Sequence, residues 1–226
     1  MRFTALISSF VFTSLLIVSS LSKAEEGVPE SSVDGLQLIK DSNLALVYAE
    51  PGADLGRYNR IYLDDAYIAF KERWQRNKNL NAPDKISDDD MTKMKAELAA
   101  LFREVFSRTL EEGGYDLVTE YAEDVLLVKP AIINLDVTSP DIRSGAMVRS
   151  YSETAGEMTL YLELYDSVSG HLIAKALDRQ EDRQTGYFQW QNRVTNRAAA
   201  NRILQIWANV LKEGLDEARS VVGNAP

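Results

Sequence analysis

The stretch from Glu157 to Tyr165, EMTLYLELY, alternates apolar and polar residues without a fault. Successive side chains of a strand point to opposite faces, so Met158, Leu160, Leu162 and Leu164 share one face. Thr159, Tyr161, Glu163 and Tyr165 share the other. Asp166 to Gly170 (DSVSG) has turn composition, and His171 to Arg179 returns along the same path, which predicts a β-hairpin. A hairpin with one apolar face cannot bury that face alone. It needs further strands beside it and a second layer above it.

Two helical patterns supply that layer. Ser87 is an N-cap residue, and Asp88, Asp89 and Asp90 sit where a helix dipole favours negative charge. Met91, Met94, Leu98, Leu101, Phe102, Val105 and Leu110 then recur at helical spacing, and Gly113-Gly114 ends the run. The acidic triplet is read as a helix start, not as a metal site, because capping and dipole account for all three residues. Near the C-terminus, Thr195 and Asn196 predict the cap of a last helix. Its stripe is Ile203, Ile206, Trp207, Val210, Leu211 and Leu215, with Gly214 costing about 1 kcal/mol against alanine.

Further strands are expected over Leu44–Ala49, Arg60–Phe70, Tyr115–Val118 and Val125–Val137. Asp64 and Asp65 interrupt the second of these. Pro130 predicts an edge or a bulge in the last, because proline cannot donate to a ladder. Trp74 lies in a basic, polar stretch with no period. The fold class expected is α+β: two layers, a mixed and mostly antiparallel sheet, and two long amphipathic helices on one face. A single domain is expected over 44–220, after a loosely ordered leader at 25–43 and before a frayed tail at 221–226. The sheet face away from the helices is then partly exposed, and it is the first candidate interaction surface.

The first 24 residues, MRFTALISSFVFTSLLIVSSLSKA, read as a cleaved signal peptide. They have a basic start, a short apolar run broken by serines, and small residues at Ser22 and Ala24. The apolar run is short for a bilayer span. The mature chain is therefore expected to be secreted, and in a bacterium periplasmic, with no membrane span left after cleavage. Removing Arg2 and Lys23 leaves 23 basic residues against 34 acidic ones, a charge of −11, compared with −9 for the whole chain. With no basic cluster to neutralise phosphates, nucleic acid is excluded as a general partner, and attraction to an anionic membrane is disfavoured for the same reason. Cysteine is absent. Disulfides, thiolate metal sites, cysteine catalysis and a lipid anchor on cysteine are therefore excluded.

No catalytic set assembles from the sequence. His171 is the only histidine and has no ligand companions at metal spacing. Ser144-Gly145 and Ser169-Gly170 are turn-like, and there is no nucleophile elbow or phosphate loop. Asp136, Asp141 and Glu157 flank strand ends and offer at most a glycosidase-like acid pair or a weak calcium site. The alternating charges DRQEDR at 178–183 read as a solvated strand end. TGYFQWQNR at 185–193 places Tyr187, Phe188 and Trp190 among polar residues with no burying period. It is read as an irregular loop, and Tyr187, Trp190, Gln191 and Arg193 are its candidate partner- or ligand-binding residues. The competing reading makes the loop a core lid, with Phe188 inside. No cofactor is expected.

Four stretches together resemble a known family: DGLQLIKDSNLALVYAEPGADLGRYNRIYLDD, FREVFSRTLEEGGYDLV, AGEMTLYLELYDSVSGHLIAKALDRQE and VTNRAAANRILQIWANVLKEGLDEAR. They run in the same order as in a group of bacterial envelope proteins and lipoproteins known as domain of unknown function 3313. That family has no assigned activity, so the resemblance implies an envelope protein and brings no catalytic residues with it. Many members look like lipoproteins, but the missing cysteine removes that anchor here. The functional expectation is a non-enzymatic envelope domain that binds another envelope protein. The alternative is a small-ligand or glycan module using residues 186–193, and an enzyme using the carboxylates at 136, 141 or 157 ranks third.

Overall fold

The computed structural model describes residues 28–80, 82, 84–137, 150–152, 154–183, 189–191 and 193–223. The expected signal peptide lies outside the described residues. In chain order the elements are β1 (Gln37–Leu38), β2 (Leu46–Ala49), β3 (Arg60–Leu63), β4 (Tyr67–Phe70), α1 (Trp74–Asn79), α2 (Asp88–Glu112) and β5 (Asp116–Leu117). They continue with β6 (Val125–Val137), β7 (Ser150–Ser152), β8 (Thr154–Asp166), β9 (Leu172–Arg183), β10 (Gln189–Gln191) and α3 (Arg193–Gly223).

The hairpin β8–β9 is the centre of the sheet. Leu162 opposes Ala176, Leu160 opposes Asp178, and the turn closes through Gly170 at φ 67°. The sheet order is β1-β2-β9-β8-β6-β3-β5, with β4 pairing β6 beyond the end of β3. The pairs β3–β5, β3–β6 and β4–β6 are parallel, and the other pairs in this sheet are antiparallel. Past the main sheet, β7 and β10 form a separate antiparallel pair, with Trp190 opposite Tyr151.

Both long helices pack on one face, as the pattern requires. Ser87 caps α2 by accepting from the Asp90 N–H (3.1 Å), and its own N–H donates to the Asp90 carboxylate (2.9 Å). Gly114 ends the helix at φ 79°, a conformation that favours glycine. From α2, Leu98, Leu101, Phe102, Val105, Phe106 and Leu110 are buried, and the Phe102 and Phe106 rings stack at 3.9 Å. From α3, Ile203, Leu204, Trp207, Leu211 and Leu215 are buried. Below them lie Leu160, Leu162 and Leu164 of β8 and Leu126, Val128 and Ile132 of β6, in one cluster. Burial of each such side chain contributes about 1.5–3 kcal/mol.

Several expectations are corrected. The strand expected over 60–70 is two strands, because Asp64, Asp65 and Ala66 break it before β4 resumes beside β6. β6 is an interior strand, not an edge. The Asp64 N–H donates to the Val128 carbonyl (2.9 Å), and backbone groups two residues apart point the same way. The nitrogen of Pro130 therefore faces the 64–66 break, where no ladder bond is needed. The bulge of β6 comes later, at Asn134, which has φ 53°.

Ile206 is 48% exposed and lies outside the core, because Ile203, Leu204 and Trp207 occupy the buried arc of α3. Helix α3 starts at Arg193, ahead of the expected cap at Thr195 and Asn196, and it runs to Gly223 through the start of the expected tail. The leader is partly folded against the sheet edge. Leu36 is buried, β1 pairs with β2, and the Tyr48 hydroxyl donates to the Pro29 carbonyl (2.8 Å). Trp74 opens α1 and is buried, stacked on Phe70 at 4.4 Å.

Candidate functional site

The strand ends expected to carry chemistry meet the helix starts at one end of the domain. There the N-terminal half of α2, the first turns of α3 and the ends of β6 and β8 enclose a groove of about 880 Å³. Its floor is apolar: Leu98, Leu101, Leu135, Met158 and Ile203. Its rim is charged, and the charges are internally paired. Lys93 faces Glu97 (3.8 Å) one turn along α2, Arg197 joins Glu104 (3.0 Å) across the two helices, and Asp90 is held in the α2 cap.

Asp136 and Glu157 stand directly opposite each other across β6 and β8 at the edge of this groove. They do not form an acid pair. Asp136 accepts from the Trp74 indole N–H (3.0 Å) and faces the Lys78 ammonium (3.4 Å). Glu157 is paired with Arg179 and with Lys71 (3.2 Å). The hydrogen bond from Arg179, aided by Lys71, holds the Glu157 carboxyl below the usual carboxylate range. A glycosidase acid needs the opposite, a carboxyl pushed up and kept protonated. Asp141 lies outside the described residues.

Gly156 makes the close strand approach possible. Its φ is 148°, and a Cβ there would lie 2.2 Å from the Asp136 carbonyl oxygen. His171 is exposed at the hairpin turn, 3.1 Å from Glu50. Among the described residues no group of three or more His, Asp or Glu is placed to hold a metal ion.

Of the stretch 185–193, the structure describes Gln189–Gln191 and Arg193. Trp190 and Gln191 lie on β10 and Arg193 is the first residue of α3, so these residues belong to regular elements and not to an irregular loop. Tyr187 and Phe188 lie outside the described residues.

Two polar centres were not legible as such in the sequence. Asp178, the first residue of DRQEDR, is 4% exposed and not a solvated strand end. Its carboxylate accepts from the Trp207 indole N–H (2.8 Å), the Ala45 backbone N–H (3.0 Å) and the Gln180 amide (2.7 Å). It joins α3, β9 and the start of β2. The alternation Ala174, Ala176, Asp178 already places it on the core face, and that was the available signal. Asp166 closes the hairpin turn. It accepts from the Ser169 backbone N–H (2.8 Å), the Ser169 hydroxyl (2.8 Å) and the Tyr58 hydroxyl (2.9 Å), and it pairs with Arg57. The Ser169 N–H is the main cause of a carboxyl pKa held well below the ordinary range.

The sequence model of the family described as protein of unknown function (DUF3313) matches residues 30–211. The chain belongs to this family. The match begins inside the expected leader, at the residues that fold against the sheet edge. No curated protein matches the chain.

Similar solved structures include the PelC dodecamer from Paraburkholderia phytofirmans, 11% identical, covering 74% of this chain and 96% of that chain with a TM-score of 0.37. Protein XCC0632 from Xanthomonas campestris is 9% identical, covering 74% of this chain and 89% of that one, with a TM-score of 0.41. A minor lipoprotein from Acinetobacter baumannii is 10% identical, covering 70% and 94%, with a TM-score of 0.32. Among the described residues of this DUF3313 protein, no helix is long and apolar enough to cross a membrane.

Proposed function

We propose that this DUF3313 protein is exported to the cell envelope, where it acts without catalysis as a binding domain for another envelope protein. The groove between α2 and α3 receives an apolar segment of that partner. The observation that carries this reading is the groove's composition, an apolar floor inside a rim whose charges are already paired within the chain. Such a rim does not attract a charged ligand. An apolar floor framed by a polar rim is the anatomy of a protein interface. The carboxylates of Asp136 and Glu157 are tied to Lys78, Lys71 and Arg179, which favours binding over acid–base chemistry.

Crosslinking in intact envelopes followed by co-purification tests the reading. A defined partner protein is expected, and it should be lost with Met94→Glu, which places a charge in the groove wall. A partner retained in full by that variant would move the site elsewhere. Export has its own test: the intact mass of the mature chain should correspond to cleavage after Ala24. A chain that still begins at Met1 would remove the envelope from the proposal.

A further inference from the structure

The sheet face away from the helices carries rows of tyrosines brought together by register. Leu127, Lys129 and Ala131 of β6 lie on the face away from the core residues Leu126, Val128 and Ile132; Leu127 is itself covered (5% exposed), so the open part of the floor is Lys129 and Ala131. Across from them on β8 stand Tyr165, Glu163 and Tyr161, and on the other side Tyr62 of β3 opposes Leu127 while Tyr67 of β4 opposes Ala131. Two walls of tyrosine therefore flank a floor one strand wide. The walls stand two strand spacings apart, about 9–10 Å. Tyr121, 58% exposed, widens one wall by packing on Tyr62 with ring centroids 5.2 Å apart, and Tyr67 is 66% exposed.

The β8 wall is fixed in advance. The Tyr161 hydroxyl donates to one oxygen of Glu163 (2.6 Å) and the Tyr165 hydroxyl donates to the other (2.8 Å). Rings held in place lose little freedom when a ligand lies against them. A carboxylate has about four lone-pair sites, so Glu163 keeps acceptor capacity after both bonds. Opposite it, Lys129 is exposed and its ammonium lies 5.1 Å over the Tyr165 ring. It makes no ion pair among the described residues and keeps three donors. The centre of the trough thus presents a donor and an acceptor side by side, between aromatic walls, with opposite charges that cancel.

We infer that this trough binds a neutral saccharide chain. Sugar rings offer C–H faces to aromatic walls and hydroxyl groups that donate and accept, which is what the walls and the Lys129–Glu163 centre supply. The charge balance argues against an anionic polymer, because the trough is neutral and the chain as a whole carries −9. A protein anchor is a poorer fit, since such anchors fill desolvated apolar pockets and this floor has a charged pair at its centre. The inference is independent of the groove between α2 and α3.

The test is a titration of the purified protein with maltohexaose, cellohexaose and chitohexaose, followed by amide NMR shifts. At least one should bind at about 1 mM or below, the weak end of specific recognition, and shift residues 127–131 and 161–165. Tyr67→Ala and Lys129→Ala, both at exposed positions, should each weaken that binding about tenfold while leaving the fold intact, in line with the stacking strength of a single aromatic. The inference is overturned if none of the three binds, if the shifts fall elsewhere, or if Tyr67→Ala binds normally. Binding only of hexagalacturonate would also overturn it, as would an envelope protein lost on Tyr67→Ala while no saccharide binds.

Discussion

Asp178 is a carboxylate in the core of this domain, and its three donors explain why it is there. Replacing it with alanine leaves the indole N–H of Trp207, itself 1% exposed, without an acceptor. Asp178→Ala should therefore cost about 1–3 kcal/mol or more in a urea titration. Arg179→Ala, one residue on and solvent-facing, should cost much less, because an exposed ion pair contributes little. Equal losses would mean that the Asp178 network contributes little.

Asp166 makes a prediction about acid. Its folded pKa is depressed, so the unfolded chain binds the proton more readily, and stability is lost as pH falls below the unfolded value of about 4. Asp166→Asn should lower stability at neutral pH and flatten the decline below pH 4. An unchanged slope would show that other carboxylates dominate, among them Glu157 and Asp216, which are also held low.

At the scale of elements, the hairpin separates two kinds of burial. Leu162 lies under the helices, and Leu162→Ala should cost about 2–5 kcal/mol. Thr159 was expected to be on the solvated face, yet it is only 6% exposed, because its outer face is flanked by Ile133 and Arg179 in the neighbouring strands. Thr159→Ala should still cost less than Leu162→Ala, but more than the few tenths typical of a free surface. Gly156→Ala tests the strand crossing next to the groove. Its φ and the backbone oxygen of Asp136 both oppose a side chain, so a loss of about 1–3 kcal/mol or more is expected. A melting temperature equal to wild type would mean that β8 can shift away from β6 at no cost.

Across the whole molecule, the described edges of the main sheet are short: β1 and β5 have two residues each, and β4, which pairs only with β6, has four. Such short edges offer little template for another strand. Binding is therefore assigned to faces and not to edges: the groove on the helix side and the tyrosine trough on the other. The two sites lie on different faces, so Met94→Glu and Tyr67→Ala should act independently, and their effects should add in a double variant. Strong non-additivity, seen by combining both readouts, would mean that one ligand spans both sites.

Local patterning determined much of this fold by itself. Alternation set the faces of β8, because strand side chains have a period of two. Helical spacing with Ser87, Asp90 and Gly114 set the bounds and inward face of α2. The whole of β6 was likewise legible from Val125 to Val137. What the sequence could not decide was which segments become neighbours. Pro130 reads as an edge until β3 and β4 are seen to leave a gap opposite it. Trp74 has no period of its own and becomes core only because Phe70 and Asp136 come to meet it. Asp136 and Glu157 are 21 positions apart and look like free carboxylates until Lys71 from the β4–α1 connection, Lys78 from α1 and Arg179 from β9 reach them. The tyrosines at 62, 67, 161 and 165 form a trough only once β6 lies between their strands. Patterning acts through neighbours along the chain, whereas pairing partners, burial of charge and the shape of a binding face depend on long-range register that only the tertiary structure sets.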